Sequence, residues 1–173
     1  AVEQIVATAA ERLGTVDVLV NNAGNAGADP SAVTRRPFWE KAPSEWEPFL
    51  QVNLYGPLNC ARAVIPGMIE AGRGGRLITV ISDAGRVGEP GLEAYSAAKA
   101  GAAGLTRALA RSLGQFGITA NNVAIAATRT PAIEAMTANE ELAKRVLRNY
   151  IIRRFGEPSD VAAMITFLAS GSS

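Results

Sequence analysis

Apolar positions Val2, Ile5, Val6, Ala9 and Leu13 recur with a helical period over residues 2–13, and Gly14 supplies a stop. The pattern then changes. "VDVLV" (16–20) is short and β-branched and runs into "NNAG" (21–24), the signature of a buried strand entering a tight loop. Residues 25–43 are irregular and rich in glycine, proline and charge. Ser44 and Glu47 in "SEWE" predict a capping box for one long helix through "VNLYGPLNCARAVIPGMIEAG" (52–72), with Pro57 and Pro66 as irregularities. "GGRLITVIS" (74–82) predicts a second strand, and "EPGLEAYSAAKAGAAGLTRAL" (89–109) a helix that ends near Gly117. "ITANNVAIA" (118–126) predicts a third strand, and residues 128–152 a mobile segment with one helical stretch. "EPSDVAAMITFLAS" (157–170) predicts a last helix capped by Ser159.

Strands that alternate with helices and are apolar on both faces imply a parallel sheet covered on both sides, in a single α/β domain over residues 1–173. The connections are then right-handed crossovers, and ligands bind at the carboxyl ends of the strands. "NNAG", "ISDAG" (81–85) and "AIAATRT" (124–130) end the three strands and open onto one rim. That rim is where chemistry is expected.

Composition narrows the chemistry. The 173 residues carry 17 basic and 16 acidic side chains, with no basic run, so nucleic acid is not an expected partner. Arg62, Lys99 and Arg107 interrupt the apolar stretches, which leaves no expected membrane span, and no signal-peptide pattern begins the chain. The single cysteine, Cys60, fits a reducing cytoplasm and reads as a small core residue. With no histidine, Ser-His-Asp and Cys-His catalysis are excluded, and no carboxylate cluster offers a metal site.

What remains is a phenol and an ammonium. Tyr95 and Lys99 stand four residues apart, so a helix places both on one face. Bringing a phenol with a pKa of about 10 to acid–base work at neutrality costs about 4 kcal/mol. A desolvated lysine, helped by a second cation such as a nicotinamide ring, supplies that. The spacing is common by itself, so the surroundings carry the reading: Asn53 in the preceding helix, Ser82 at the end of the second strand, and "NNAG" at the end of the first.

The set "NNAG", Asn53, Ser82 and "YSAAK" (95–99), with "RRFGEPSDVA" (153–162), resembles the short-chain dehydrogenases/reductases along the whole chain. The likeness is nearest in type to members acting on 3-oxoacyl or 3-hydroxyacyl thioesters and related alicyclic compounds. The resemblance implies a Rossmann-like, doubly wound parallel sheet, here its central and C-terminal part of about three strands. It implies an NAD- or NADP-dependent oxidoreductase interconverting a carbonyl and a secondary alcohol. Tyr95 would be the general acid/base, Lys99 would depress the Tyr95 pKa and hold the nicotinamide ribose, Ser82 would orient the substrate oxygen, and Asn53 would bend its helix and anchor a water leading to Lys99. Asn22, Ala23 and Gly24 would line the cofactor's adenosine and ribose side, and Arg129 and Thr130 its carboxamide. The small residues at 97, 98 and 100–104 would pack against a second subunit in a homodimer or homotetramer.

The sequence departs from the family in two ways. Ala126 and Ala127 stand where Pro-Gly is usual, which leaves that loop less constrained. The glycine-rich phosphate turn and the last strand have no counterpart in the sequence, which reads as the catalytic part of a longer domain with one strand edge lacking its neighbour. The alternative is a truncated, cofactorless paralogue serving as a partner subunit or scaffold. A dehalogenase or lyase on the same fold fits less well, because Lys99 is intact. Residues 25–43 and 131–150 would wall the substrate pocket, and Arg35, Arg36 and Arg129 could meet an acidic or phosphorylated carrier, although Arg35 and Arg36 read better as solvated surface charge.

Overall fold

The computed structural model describes residues 1–24, 26 and 36–173. Among these, three strands form one parallel sheet: β1 (Val18–Asn21), β2 (Gly75–Ser82) and β3 (Ile118–Ile125), in the order β1-β2-β3. Helix α1 (Val2–Leu13) precedes β1. The crossover to β2 is made by α2 (Pro43–Leu50) and α3 (Gly56–Ala71), and the crossover to β3 by the single turn α4 (Ala84–Val87) and the long α5 (Glu93–Leu113). After β3 come two short helices, α6 (Glu134–Ala138) and α7 (Glu140–Leu147), and then α8 (Pro158–Ala169).

β2 is the one strand paired on both sides, and it is almost wholly buried. Its alternation sends Leu77 and Ile81 to one face and Ile78 and Val80 to the other. Leu77 joins Val64 and Met68 of α3, Leu113 of α5 and Ile118 of β3, while Ile81 meets Ala102 and Ala103 of α5. α8 packs on β2 and β3 from the opposite side. The expected parallel sheet flanked by helices holds, with β2 the most deeply buried of the three strands. β1 and β3 each pair on one side only among the described residues, and Val18 and Val20 stay 37% and 38% exposed.

Several expected helix ends move. The long helix over 44–71 is interrupted by a π-helical turn at Gln51–Tyr55, where the Gly56 N–H reaches back five residues to the Gln51 carbonyl. Pro57 explains the place: it has no N–H to give and its ring would crowd the carbonyl four residues back, so the wider turn relieves both. Pro66 lies inside α3, which continues past it. The start of α2 is stabilised by Glu45, whose Oε2 accepts the Ala42 N–H at 2.8 Å, not by Ser44 and Glu47. Likewise α8 starts at Pro158, and Asp160 accepts the Glu157 N–H at 2.8 Å in place of a Ser159 cap. α5 stops at Leu113; a short 3-10 turn then carries the chain to Gly117, whose φ of +68° closes it. Residues 128–152 hold two short helices where one stretch is expected, the second capped by Asn139 through the Leu142 N–H.

Candidate active site

Tyr95 and Lys99 lie in the first half of α5, which presents Lys99, Ala102, Ala103 and Thr106 to the sheet at helical spacing. Lys99 is 5% exposed. Its Nζ donates to the Val80 carbonyl of β2 at 2.9 Å and stands 5.9 Å from the centre of the Tyr95 ring. A buried lysine with one carbonyl partner is costly as an ammonium, and burial pulls its pKa below the ordinary 10.5.

Ser82 ends β2 and faces Tyr95. Its Oγ accepts the Ala84 N–H at 3.2 Å in the turn that enters α4, and its hydroxyl acts on the Tyr95 phenol, pulling that pKa down. Burial raises the Tyr95 pKa above 10.0, and only the Ser82 hydroxyl acts against it. The expected depression of the phenol by Lys99 together with a nicotinamide cation has no counterpart from Lys99 alone. With the Lys99 Nζ 5.9 Å from the ring centre and bonded to Val80, desolvation sets the direction of the shift at Tyr95.

Asn53 arrives through the π turn. It is 1% exposed, and its Nδ2 donates to the Phe49 carbonyl at 3.0 Å, filling the gap that the widened turn opens in the helical hydrogen bonding. Its Oδ1 points at the end of β1. A Cβ placed on Gly24 would come 3.4 Å from Asn53 Oδ1 and 3.5 Å from Lys99 Nζ. The side-chain-free face of Gly24 thus looks onto an ammonium donor and an amide oxygen together. Asn21 ties the same loop to β2 by donating from Nδ2 to Thr79 Oγ1 at 3.4 Å. Asn22 and Ala23 are exposed beside it.

Arg129 and Thr130 follow β3 and are exposed. The Arg129 guanidinium is engaged: Nε pairs with Glu157 Oε1 at 3.0 Å, and the group lies 5.4 Å from the centre of the Phe155 ring. It is not a free cation for an acidic carrier. Arg36 is paired with Glu45, and Arg35 lies outside the described residues. The small residues of α5 divide: Ala98, Ala102 and Ala103 are buried within this chain and Gly101 abuts Leu54, while Ala97 and Ala100 are exposed.

Two contacts carry no sequence signal. Gly85, on α4, lies so near α5 that a Cβ there would meet Lys99 Cβ at 2.8 Å and the Ala100 nitrogen at 2.9 Å. Tyr150 reaches the loop after β3 from 23 residues downstream. Two clefts lie elsewhere: about 450 Å³ along the outer edge of β3 against α8, and about 610 Å³ between α1 and α3. Neither includes Ser82, Tyr95 or Lys99, and the chemistry is assigned from side-chain convergence, since a cleft without reactive groups performs none. Among the described residues no cluster of acidic or cysteine side chains could hold a metal ion, and no helix is long and apolar enough to cross a membrane.

A family model described as enoyl-(acyl carrier protein) reductase matches residues 1–173. The chain belongs to the short-chain dehydrogenase/reductase family. This short-chain dehydrogenase/reductase is 35% identical over 170 residues to a 3-oxoacyl-[acyl-carrier-protein] reductase of Staphylococcus epidermidis, covering 98% of the chain and 65% of that relative. It is 40% identical over 162 residues to a 2,3-dihydroxy-2,3-dihydro-p-cumate dehydrogenase of Pseudomonas putida, covering 93% and 60%. The crystal structure of a gluconate 5-dehydrogenase from Burkholderia cenocepacia, in complex with NADP and tartrate, superposes with a TM-score of 0.87 at 28% identity, covering 98% of this chain and 63% of that one. The chain thus spans about 60–65% of the length of these relatives.

The lysine's burial has a measurable consequence. The unfolded chain holds the Lys99 proton more tightly than the folded one, so the stability linked to Lys99 rises with pH between its folded-state pKa and about 10.5. The unfolding free energy of the native protein minus that of Lys99→Met, from denaturant titrations at neutral to alkaline pH, should therefore grow as pH rises. A flat difference would mean the ammonium is buried at no cost.

Proposed function

We propose that this protein is an NAD(P)-dependent oxidoreductase that interconverts a carbonyl and a secondary alcohol, with 3-oxoacyl or 3-hydroxyacyl compounds, free or as thioesters, as the substrate class. The observation that carries this reading is the convergence of Tyr95 with the Ser82 hydroxyl that acts on it, the buried Lys99 amine 5.9 Å from the Tyr95 ring centre and the Asn53 amide, near the ends of β1 and β2. The named relatives, both acting on oxygenated carbon, support the reaction class.

The residues fit a nicotinamide dinucleotide at its ribose–nicotinamide end. Gly24 brings its side-chain-free face beside Lys99 Nζ and Asn53 Oδ1, a donor and an acceptor that ribose hydroxyls could meet. Lys99 would hold the ribose, Asn22, Ala23 and Gly24 would line its approach, and the backbone at Arg129 with Thr130 would meet the carboxamide. When bound, the dinucleotide supplies or accepts the hydride. The chain supplies the rest. Ser82 donates to the substrate oxygen and orients it; Tyr95, held neutral by burial, delivers its proton to that oxygen in the reductive direction. Lys99, made more acidic by its site, lies one helical turn away to restore the proton, with Asn53 fixing a water beside it. The exposed Ala97 and Ala100 on α5 suit contact with a second copy, and a homodimer or homotetramer is part of the proposal.

The test is oxidation of NADH and NADPH by the complete polypeptide with acetoacetyl thioesters and a panel of simple ketones. Turnover with one of the two dinucleotides is expected. Absence of turnover throughout, with no dinucleotide binding by calorimetry, would leave the cofactorless partner subunit as the better reading.

A further inference from the structure

In the loop that leaves β3, one residue is held at both its amide and its carbonyl. The Ala127 N–H donates to the Tyr150 hydroxyl at 3.2 Å, and the Ala127 carbonyl accepts the Gly156 N–H at 3.0 Å. A further bond from the Arg129 N–H to the Gly156 carbonyl, 2.8 Å, makes Thr128 and Gly156 an isolated parallel bridge. Gly156 is matched to this contact, since a Cβ there would stand 3.1 Å from Thr128 Oγ1. The Tyr150 oxygen differs from the other anchors. It comes from the segment between α7 and α8, and it is a side chain, so it can be removed without touching the main chain. Neither Ala126 nor Ala127 restricts its own φ strongly, so the position of this loop is set by its tethers.

The geometry points to Tyr150 as a positioning residue for the nicotinamide end of the site: its hydroxyl fixes the Ala127 peptide and thereby sets where Arg129 and Thr130 stand. This rests on the proposed oxidoreductase reading.

The experiment is Tyr150→Phe in the complete polypeptide, which keeps the ring and removes the oxygen. Calorimetric affinities are measured for NADH and NADPH, and for ADP-ribose, which ends before the nicotinamide. Loss of one hydrogen bond predicts about fivefold weaker binding of the preferred dinucleotide and unchanged ADP-ribose affinity. Amide hydrogen exchange should quicken at Ala127 while Arg129 and Gly156 keep their protection. Parallel weakening of both probes, no change in either, or protection lost throughout the chain would overturn the positioning role. If the unsubstituted protein binds none of the three nucleotides, the oxidoreductase reading falls, and this inference falls with it.

Discussion

Tyr95→Phe should lower kcat about a thousandfold while dinucleotide affinity stays within about twofold. General acid–base catalysis by a placed side chain contributes roughly 10²–10⁴ in rate, and no other group at this site can stand in for the phenol. The chain has no histidine, Ser82 ionises far too high, and Lys99 Nζ is directed to the Val80 carbonyl. Phenylalanine keeps the half-buried ring and loses only the phenol oxygen on which Ser82 acts, so folding is preserved. Steady-state rates with the best carbonyl substrate, paired with calorimetry, separate the two effects. A variant that keeps more than a tenth of the activity would remove Tyr95 from the chemistry.

The second large effect is structural in origin and catalytic in outcome. Gly85→Ala should destabilise the fold by about 1–3 kcal/mol, because the added methyl falls within 3.0 Å of Lys99 Cβ, the Ala100 nitrogen and the Lys99 carbonyl carbon. These atoms belong to the α5 backbone or its root and cannot swing aside as a side-chain tip can. In a domain of this size that corresponds to roughly 2–4 °C of thermal midpoint for each kcal/mol. The displaced segment carries Lys99 itself, so kcat should fall as well. Gly114→Ala is the control: nothing lies within 4 Å of a Cβ there, and its φ of −55° suits any residue, so stability should hold or rise slightly. Equal thermal midpoints for the two variants would show that α4 and α5 are not in close register.

Much of the fold was legible in the chain because its signals are local. The three strands fall within a residue or two of their apolar runs, since short β-branched stretches bounded by glycine have few other uses. Pro57 marked the place where the long helix changes pitch, because a missing N–H is a property of one residue. Caps were read less well. Ser44 and Ser159 satisfy the motif, yet Glu45 and Asp160 hold the helix starts, because prolines at 43 and 158 begin each helix earlier than the serine would.

At the site, residue identities were legible and the balance of forces was not. The i, i+4 spacing places Tyr95 and Lys99 on one helix, but whether the ammonium or desolvation governs the phenol depends on the Val80 carbonyl, which lies 19 residues away and claims Nζ. The approach of Gly24 to Asn53 and Lys99, the hydroxyl of Tyr150 on Ala127 and the close passage of Gly85 over α5 join segments that no periodicity links. By itself the sequence determined a parallel α/β sheet, the family and the phenol–ammonium pair, because apolar period, glycine stops and residue chemistry are written one position at a time. Only the tertiary structure decided which groups touch and how far each is removed from water, and so that burial rather than Lys99 sets the direction of the Tyr95 shift, because burial and Coulomb interaction depend on distance through space.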